Sequence, residues 1–392
     1  MPSPMEDRPG LVIRDPRHYS DVTLIIPPAL VQCLELFDGE QSDLDLRQKL
    51  VQITGDLEVG EIQKHLTDVL SSSGFLHDDV FEQMREARIG EFAAARERQP
   101  AHAGTGYPDN PEELRATLKN YMGERLIDSS VEGLAGIAAP HVSPFGGWES
   151  YQSAYNMLSP EQHADKLFVI LGTSHYGEPN RFGLTRKPFV TPFGAARTET
   201  SLVNELERRA GESIIMEDYC HSVEHSIEFQ IIFLQHILGP DVRILPILCG
   251  SFAHSILRGG KPEEDVRVER FIDVLGNIAA RESKRMMFVL GIDMAHMGRR
   301  YGDSFAALAN TDEMVDVAER DRKRIGHISA NDADAFWSDV QIRQDDLKWC
   351  GSSPLYTFLK AMPNARADLL NYQQWNIDEQ SVVTFAGMSF RR

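Results

Sequence analysis

From Gly133 onward the chain alternates short apolar runs with segments that have the pattern of amphipathic helices. The runs have the length of buried strands: Leu134–Ala139, Leu167–Leu171, Val242–Leu248, Met286–Ile292, Leu369–Tyr372 and Val382–Ala386. The helical patterns between them are Ser201–Ala210, Ser226–Leu238, Asp265–Arg281 and Glu313–Arg324. This alternation predicts an α/β domain with a mixed sheet flanked by helices. In such folds ligands bind where the strands reach their carboxyl ends.

The chain divides into three regions by pattern. Residues 11–90 combine a predicted strand at Val22–Ile26 with several short helical patterns, which is the size and order of a winged-helix module. Residues 91–132 begin with a charged helical pattern, and the stretch at 99–111 is rich in Gly and Pro, which is typical of a linker. We therefore predict that residues 133–392 form the α/β domain.

Composition excludes several classes of function. The 392 residues include 40 basic and 59 acidic side chains, a net charge of -19, which disfavours binding to nucleic acid or to a membrane surface. The N-terminal residues have no signal-peptide pattern, and no run reaches the roughly 18 apolar residues of a membrane span. The 4 cysteines are scattered and form no Cys-x-x-Cys pair. We therefore expect a cytoplasmic, reducing compartment.

Three of the apolar runs end in histidine or in an Asp/His pair. His141 follows the first run, His175 follows the second, and Asp293 and His296 follow the run that begins at Met286. A single histidine at a strand end is more often a structural residue. Three such ends along one edge of a sheet favour a shared site.

Cys350 precedes a predicted helix at Leu355–Ala361. The intervening serines and Pro354 are typical of a capped helix start. A thiol beside a helix N-terminus has a lowered pKa, which favours the thiolate that binds metals or attacks electrophiles. The other interpretation is a small buried hydrophobic residue, as we expect for Cys249, and the sequence alone favours neither.

The segment Ser222–Glu228 precedes an apolar helical pattern. One interpretation is a helix cap. The other places His225 in the cleft as an acid, a base or a neighbour of a metal ligand, with Glu224 or Glu228 orienting its ring.

Common catalytic motifs are missing from the sequence. It contains no Walker A motif, no G-x-G-x-x-G after a strand and no H-E-x-x-H. Strand-end carboxylates suited to a two-metal phosphoesterase are missing as well.

Several short motifs together resemble the Memo family, whose bacterial members are often called AmmeMemoRadiSam system protein B. The motifs are Ala139-Pro140-His141, Leu171-Gly172-Thr173-Ser174-His175, Thr191-Pro192-Phe193-Gly194, Glu224-His225-Ser226-Ile227-Glu228, Asp293-x-x-His296 and Cys350-Gly351. The resemblance covers about residues 133–390. It implies the fold of the class III extradiol dioxygenases, which use non-haem iron, and a radical-SAM protein as a partner, because the family often occurs beside one.

The resemblance also implies a ligand set. In the family a metal is held by two histidines and a cysteine that correspond to His141, His175 and Cys350. Catalytic residues would then be His225, Asp293 and His296, placed around the metal. The dioxygenases have a carboxylate where this family has the cysteine, and a thiolate suits copper(I) as well as iron, so the expected cofactor is iron or copper. The stretch Val142–Trp148 departs from the family pattern, which leaves the substrate open.

The N-terminal region resembles PqqD-like domains, small winged-helix modules that bind peptides. The resemblance rests on Leu34–Glu40 and Leu70–Leu76. A generic helical cap is the other interpretation.

These observations lead to three hypotheses about function. The first is a metal-dependent, dioxygenase-like oxidoreductase that acts on an unknown small molecule or peptide. The second is a non-catalytic protein that binds a peptide or partner and holds its metal incidentally. The third, a cysteine hydrolase that uses Cys350 with a cleft histidine, is the least supported because no hydrolase signature is found.

Overall fold

The computed structural model describes residues 9–123 and 133–392. Between Ala94 and Ala95 the chain divides into two compact units, a smaller N-terminal one and a larger C-terminal one. The Gly- and Pro-rich stretch at 99–111, which the sequence assigns to a linker, belongs to the larger unit.

The smaller unit combines an antiparallel pair of strands with helices. Its elements are β1 (Leu11–Arg14), β2 (Thr23–Ile26), a 3-10 helix (Pro28–Leu36), α1 (Asp43–Thr54), α2 (Gly60–Ser72) and α3 (Asp79–Ala94). Ser42 begins α1 with a capping box, and Gly55 ends it at a φ of 72°. The core of the unit contains Cys33, Leu46, Leu50, Leu66 and Leu70. The winged-helix interpretation of this unit stays a prediction.

The larger unit contains the predicted alternation of strands and helices. Its strands are β3 (Leu134–Ala139), β4 (Leu167–Thr173), β5 (Phe182–Leu184), β6 (Phe189–Thr191), β7 (Gly194–Thr198), β8 (Ile214–Met216), β9 (Arg243–Cys249), β10 (Met286–Gly291), β11 (His296–Gly298), β12 (Arg366–Asp378) and β13 (Ser381–Arg391). Its α-helices are α4 (Pro111–Met122), α5 (Pro144–Tyr155), α6 (Pro160–His163), α7 (Thr200–Ala210), α8 (Cys220–Val223), α9 (Glu228–Leu238), α10 (Ala253–Arg258), α11 (Val266–Arg281), α12 (Glu313–Ser329), α13 (Ala333–Gln341) and α14 (Ser352–Ala361). Short 3-10 helices occur at Gly211–Ser213, Pro262–Glu264, Arg299–Tyr301 and Ile342–Gln344. Each apolar run that was predicted to be a strand overlaps one of these strands.

The strands of the larger unit form one mixed sheet, which confirms that prediction. The main path of the sheet runs β11-β13-β3-β10-β4-β9-β5-β8, with β12 paired to β13. Its central strands β3, β10, β4 and β9 are parallel, whereas β13 and β5 run antiparallel to their neighbours β3 and β9. The central strands therefore reach their carboxyl ends at the same edge.

The sheet separates two hydrophobic cores. Along β4, Leu167, Val169 and Leu171 belong to one core, and the alternate residues Phe168 and Ile170 belong to the other. Helices α7, α11 and α14 contribute to the first core, and α4, α5 and α9 contribute to the second. This is the pattern of a sheet that is buried on both faces.

Among the described helices, none combines the length and apolar character that crossing a bilayer requires.

Candidate metal centre

His141, Asp293 and His175 follow three neighbouring strands. β10 lies between β3 and β4 and is parallel to both. Each of the three residues stands two positions after the end of its strand. Because parallel strands end at one edge of the sheet, their side chains come together there, and the ring centroids of His141 and His175 are 5.1 Å apart.

The backbone fixes the ring of His141, which is almost fully buried. Its Nδ1 lies 2.9 Å from the carbonyl oxygen of Gly291. A carbonyl only accepts, so Nδ1 donates to it and Nε2 faces the other side chains of the site. This Nε2 lies 3.2 Å from Sγ of Cys350 and 3.4 Å from Oδ2 of Asp293.

Cys350 reaches His141 from the loop before α14. Its carbonyl accepts a hydrogen bond from the Thr173 hydroxyl at 2.9 Å, and its Sγ lies 3.7 Å from the carbonyl oxygen of Asp293. Burial raises the pKa of the Cys350 thiol, but His141 and, to a smaller extent, His175 outweigh it, and the pKa falls to about 7. A large fraction of Cys350 is therefore thiolate at neutral pH, which is the form that binds metals.

The predicted serine cap in front of α14 is wrong. The helix begins at Ser352, so Ser352 and Ser353 lie in its first turn and Gly351 is the N-cap. A Cβ at Gly351 would lie only 2.6 Å from the carbonyl oxygen of Asp293. The close approach of this loop to the end of β10 therefore excludes a serine from the cap position.

Glu224 orients His175. Its carboxylate accepts the backbone N–H of His175 at 2.5 Å through Oε1 and lies 2.8 Å from Nδ1 of the ring through Oε2. The carboxylate is buried, whereas the His175 side chain is 26% exposed. Burial opposes protonation of His175, but Glu224 and Cys350 raise its pKa well above the ordinary value. The hydrogen bond at Nδ1 leaves Nε2 of His175 as the ring nitrogen that is available to a metal ion.

The ring of His225 packs among the other histidines. It stacks on His175 with a centroid distance of 5.0 Å and an interplanar angle of 13°, and its centroid lies 5.1 Å from that of His141. Burial, together with the neighbouring histidines, lowers the pKa of His225 well below its usual value. His225 is therefore neutral at physiological pH.

The prediction that Glu224 or Glu228 orients His225 is wrong. The carboxylate of Glu224 binds His175, and the carboxylate of Glu228 forms a fully buried ion pair with Arg98.

Asp293 and His296 line the same edge of the sheet. Asp293 is buried, and its Oδ1 accepts the backbone N–H of His141 at 2.8 Å. Burial raises the pKa of Asp293 to about 6, against the lowering effect of His296. Nδ1 of His296 lies 3.0 Å and 3.1 Å from two backbone carbonyls. Burial lowers the pKa of His296, so its ring is neutral with Nε2 unprotonated.

Two sets of donor atoms suit a metal ion in the described part of the chain. The first comprises His141, His175 and His225, and the second comprises His141, Asp293 and Cys350; within each set the donor atoms lie within 4.8 Å of one another. His141 belongs to both sets, so the predicted ligands His141, His175 and Cys350 are distributed over the two. Their assignment as the ligands stays a prediction, and Asp293 joins them as a further candidate.

Sequence reasoning missed His102. Its ring centroid lies 5.5 Å from that of His225. The residue stands in the Gly- and Pro-rich stretch that was assigned to a linker, and the only available signal was the single histidine in it.

A family model described as Memo-like protein matches residues 98–389, which is well over half of the chain. The chain belongs to the Memo family. A MEMO1 family protein of Aquifex aeolicus is 26% identical over 384 residues, covering 97% of this chain and 95% of the relative. A MEMO1 family protein of Methanococcoides burtonii is 32% identical over 201 residues, covering 51% of this chain and 68% of the relative.

The Memo relatives differ in how much of the chain they match. A MEMO1 family protein of Methanopyrus kandleri is 26% identical over 314 residues, which is 99% of that relative but only 76% of this chain. The Aquifex relative matches almost the whole chain. The family model begins at Arg98, close to the start of the larger unit. The Memo-like part therefore corresponds to the larger unit.

Proposed function

We propose that the larger unit binds iron or copper and acts as an oxidoreductase on a small molecule or peptide. Membership of the Memo family and the two sets of donor atoms around His141 support this function. We further propose that His141, His175 and Cys350 are the ligands and that the fold is that of the class III extradiol dioxygenases. Ring cleavage does not follow from such a fold, because one fold supports many reactions.

The observation that carries the proposal is the pairing of His141 and Cys350. Nε2 of His141 lies 3.2 Å from Sγ of Cys350 while Nδ1 is held by a backbone carbonyl. Metal–nitrogen and metal–sulfur bonds of about 2.0–2.1 and 2.3 Å place two ligands of one ion roughly 3–3.6 Å apart. The proton on Nδ1 leaves the other nitrogen free, as in most metal-binding histidines.

The donors suit a redox-active metal. Imidazole binds both iron and copper, and a thiolate adds a soft ligand that favours copper(I). Bound iron or copper would supply one-electron chemistry and open coordination positions for a substrate. The carboxylate of Asp293, beside Cys350, offers a harder oxygen donor that favours iron.

Around the proposed metal site, several side chains can hold and accept protons. Asp293 has a pKa of about 6 and His296 is neutral, so each can accept a proton near neutral pH. His225 is also neutral and offers a ring nitrogen close to His141 and His175. We propose that these three residues move protons to and from the substrate.

Metal analysis of the purified full chain tests the proposal. We expect close to one equivalent of iron or copper in the wild type and a large loss in His141→Ala and in Cys350→Ser. Cys33→Ala is the matched control, because this cysteine is buried in the smaller unit. Stoichiometric metal that survives both site substitutions contradicts the proposed ligands, and oxygen consumption by the metal-loaded chain tests the redox activity.

A second candidate function is that the smaller unit, as a PqqD-like domain, binds a peptide or a radical-SAM partner. The observation that favours it is the exposure of large apolar side chains there, since Leu44 and Leu57 are each 75% exposed. The test is whether the full chain captures a peptide or partner. Capture that is lost in Leu44→Asp and in Leu57→Asp, by a preparation that consumes no oxygen, would favour this function. Capture that is unaffected by both substitutions would contradict it.

A further inference from the structure

Residues 98–107 form a segment of the larger unit that we call the strap, and a buried ion pair fixes its start. The side chain of Arg98 is fully buried with that of Glu228, the first residue of α9. Arg98 also donates to the carbonyl of His221 at 2.8 Å and to the carbonyl of Glu224 at 2.9 Å. A buried guanidinium with this many acceptors holds one position, because leaving either charge unpaired would be costly.

The carboxylate of Glu228 also binds the rest of the strap. Its oxygens accept the backbone N–H groups of Ala101 and His102, each at 3.0 Å, and the hydroxyl of Tyr107 donates to it as well. Arg98 keeps the pKa of Glu228 below its usual value although burial opposes this, so the carboxylate stays ionised. One buried anion therefore fixes the strap at its start, its middle and its end.

His102 projects from the middle of the strap toward the histidines of the metal centre. Its Nε2 donates to the carbonyl of Val223 at 2.9 Å. The ring meets His225 edge-to-face, with centroids 5.5 Å apart and an angle of 74°, and meets Phe229 at 5.6 Å and 70°.

Four rings surround that of His225. His175 stacks on it at 5.0 Å and 13°, His141 meets it edge-to-face at 5.1 Å and 86°, and the rings of His102 and Phe229 both lie at 5.5 Å. The strap has little freedom to withdraw or to admit a larger residue. A Cβ at Gly106 would lie 3.0 Å from the ring of Phe229.

We propose that His102 is a positioning residue of the metal centre: its ring, held in place by the strap and Glu228, fixes the orientation of His225 against His175. This inference rests on the proposed metal site. His225 offers a nitrogen within 4.8 Å of the donor atoms of His141 and His175, so its orientation decides whether it faces the ion. In this role His102 acts through the packing of its ring against His225 and does not bind the metal itself.

Cobalt(II) alone, added to the chelator-treated full chain, provides the test, because its visible spectrum reports ligand geometry. We expect His102→Ala to shift the cobalt bands and to weaken cobalt binding about tenfold or more, as loss of an orienting partner does. His102→Phe keeps a ring at this position and should keep the wild-type spectrum and an affinity within about twofold. His236→Ala is the matched control, because this histidine stands near the other end of α9.

The outcomes separate the inference from the proposed function. A wild-type chain that binds no cobalt overturns the metal site and the inference with it. A wild-type chain that binds cobalt, with an unchanged spectrum and affinity in His102→Ala, overturns the inference alone. If His102→Ala unfolds by circular dichroism, His102→Gln, which keeps a donor for the Val223 carbonyl and lacks the ring, supplies the same comparison.

Discussion

The backbone N–H of Gly351 donates to the carbonyl oxygen of Asp293 at 3.0 Å. This contact joins the loop that carries Cys350 to the end of β10, and it is possible because glycine at position 351 has no Cβ. A Cβ there would lie 2.6 Å from that oxygen and 2.7 Å from Cβ of Ile292. Two candidate metal-binding residues thus depend on one glycine for their spacing.

Gly351→Ala should therefore destabilise the larger unit by about 1–3 kcal/mol, because backbone and a packed side chain must both move. Urea unfolding measures the loss. The control is Gly326→Ala in α12, where a Cβ meets nothing within 4 Å and where alanine should stabilise the helix by about 0.5–1 kcal/mol. Equal effects of the two substitutions would contradict the close approach at Gly351.

The alkylation of Cys350 should depend on pH in a way that His141 controls. The pKa of Cys350 is lowered to about 7, so in metal-free protein its rate with iodoacetamide should reach half-maximum near pH 7. His141→Phe removes the main lowering influence, and the midpoint should move upward. Peptide mass mapping follows each cysteine separately.

Cys249 is the internal control for this experiment, because burial raises the pKa of its thiol and it should stay unreactive over the same pH range. A midpoint for Cys350 that is identical in the wild type and in His141→Phe would be incompatible with the 3.2 Å pairing of the two side chains.

Glu224→Gln should weaken metal binding about 10–100-fold. The carboxylate charge of Glu224 orients His175 and raises the pKa of its ring, and the substitution removes this charge. A competitive titration of cobalt(II) into the chelator-treated chain measures the affinity. Glu178→Gln is the matched control, since the Glu178 side chain is 66% exposed. Affinities that agree within about twofold for all three chains would exclude a role for Glu224.

Asp321 stabilises the segment that carries Cys350. Its buried carboxylate accepts hydrogen bonds from Trp349 at 2.7 Å, Tyr372 at 2.7 Å and Thr384 at 2.6 Å, and Trp349 precedes Cys350. Asp321→Ala leaves these donors unpaired and should lower the free energy of unfolding by about 3 kcal/mol.

Asp316→Ala is the control for this effect, because Asp316 lies on the same helix with a side chain that is 70% exposed. Its substitution should change the free energy of unfolding by less than about 0.5 kcal/mol. Similar losses for the two variants would show that Asp321 makes no special contribution.

The proximity of His141, His175 and Asp293 could be predicted, because it follows from the positions of the strand ends alone. Apolar runs of strand length mark where each strand stops, and parallel strands stop at one edge of the sheet. The order of the strands could not be predicted in the same way. β10 comes late in the chain yet lies between β3 and β4, and long-range pairing of this kind leaves no local pattern.

The partners of the polar residues were harder to predict. Glu224 follows the last residue of α8, and Glu228 begins α9. Because of the turn between these helices, the carboxylate of Glu224 contacts His175, whereas that of Glu228 contacts Arg98. Spacing along the chain carries no information about that turn.

His102 could not be predicted as a site residue for a related reason. Glycine and proline around it are typical of a mobile connection, and the contacts that fix it come from Glu228, 126 positions further along the chain. Tertiary structure overrides the local pattern here.

The position of β13 has a consequence for the order of events during synthesis. This strand, which ends at Arg391, lies inside the sheet between β11 and β3, and β3 leads directly to His141. A ribosome must therefore translate all the strands from β3 to β13 before the sheet can close beside that histidine. If the proposed site binds a metal, we expect loading only after β13 has been synthesised and has paired with β3.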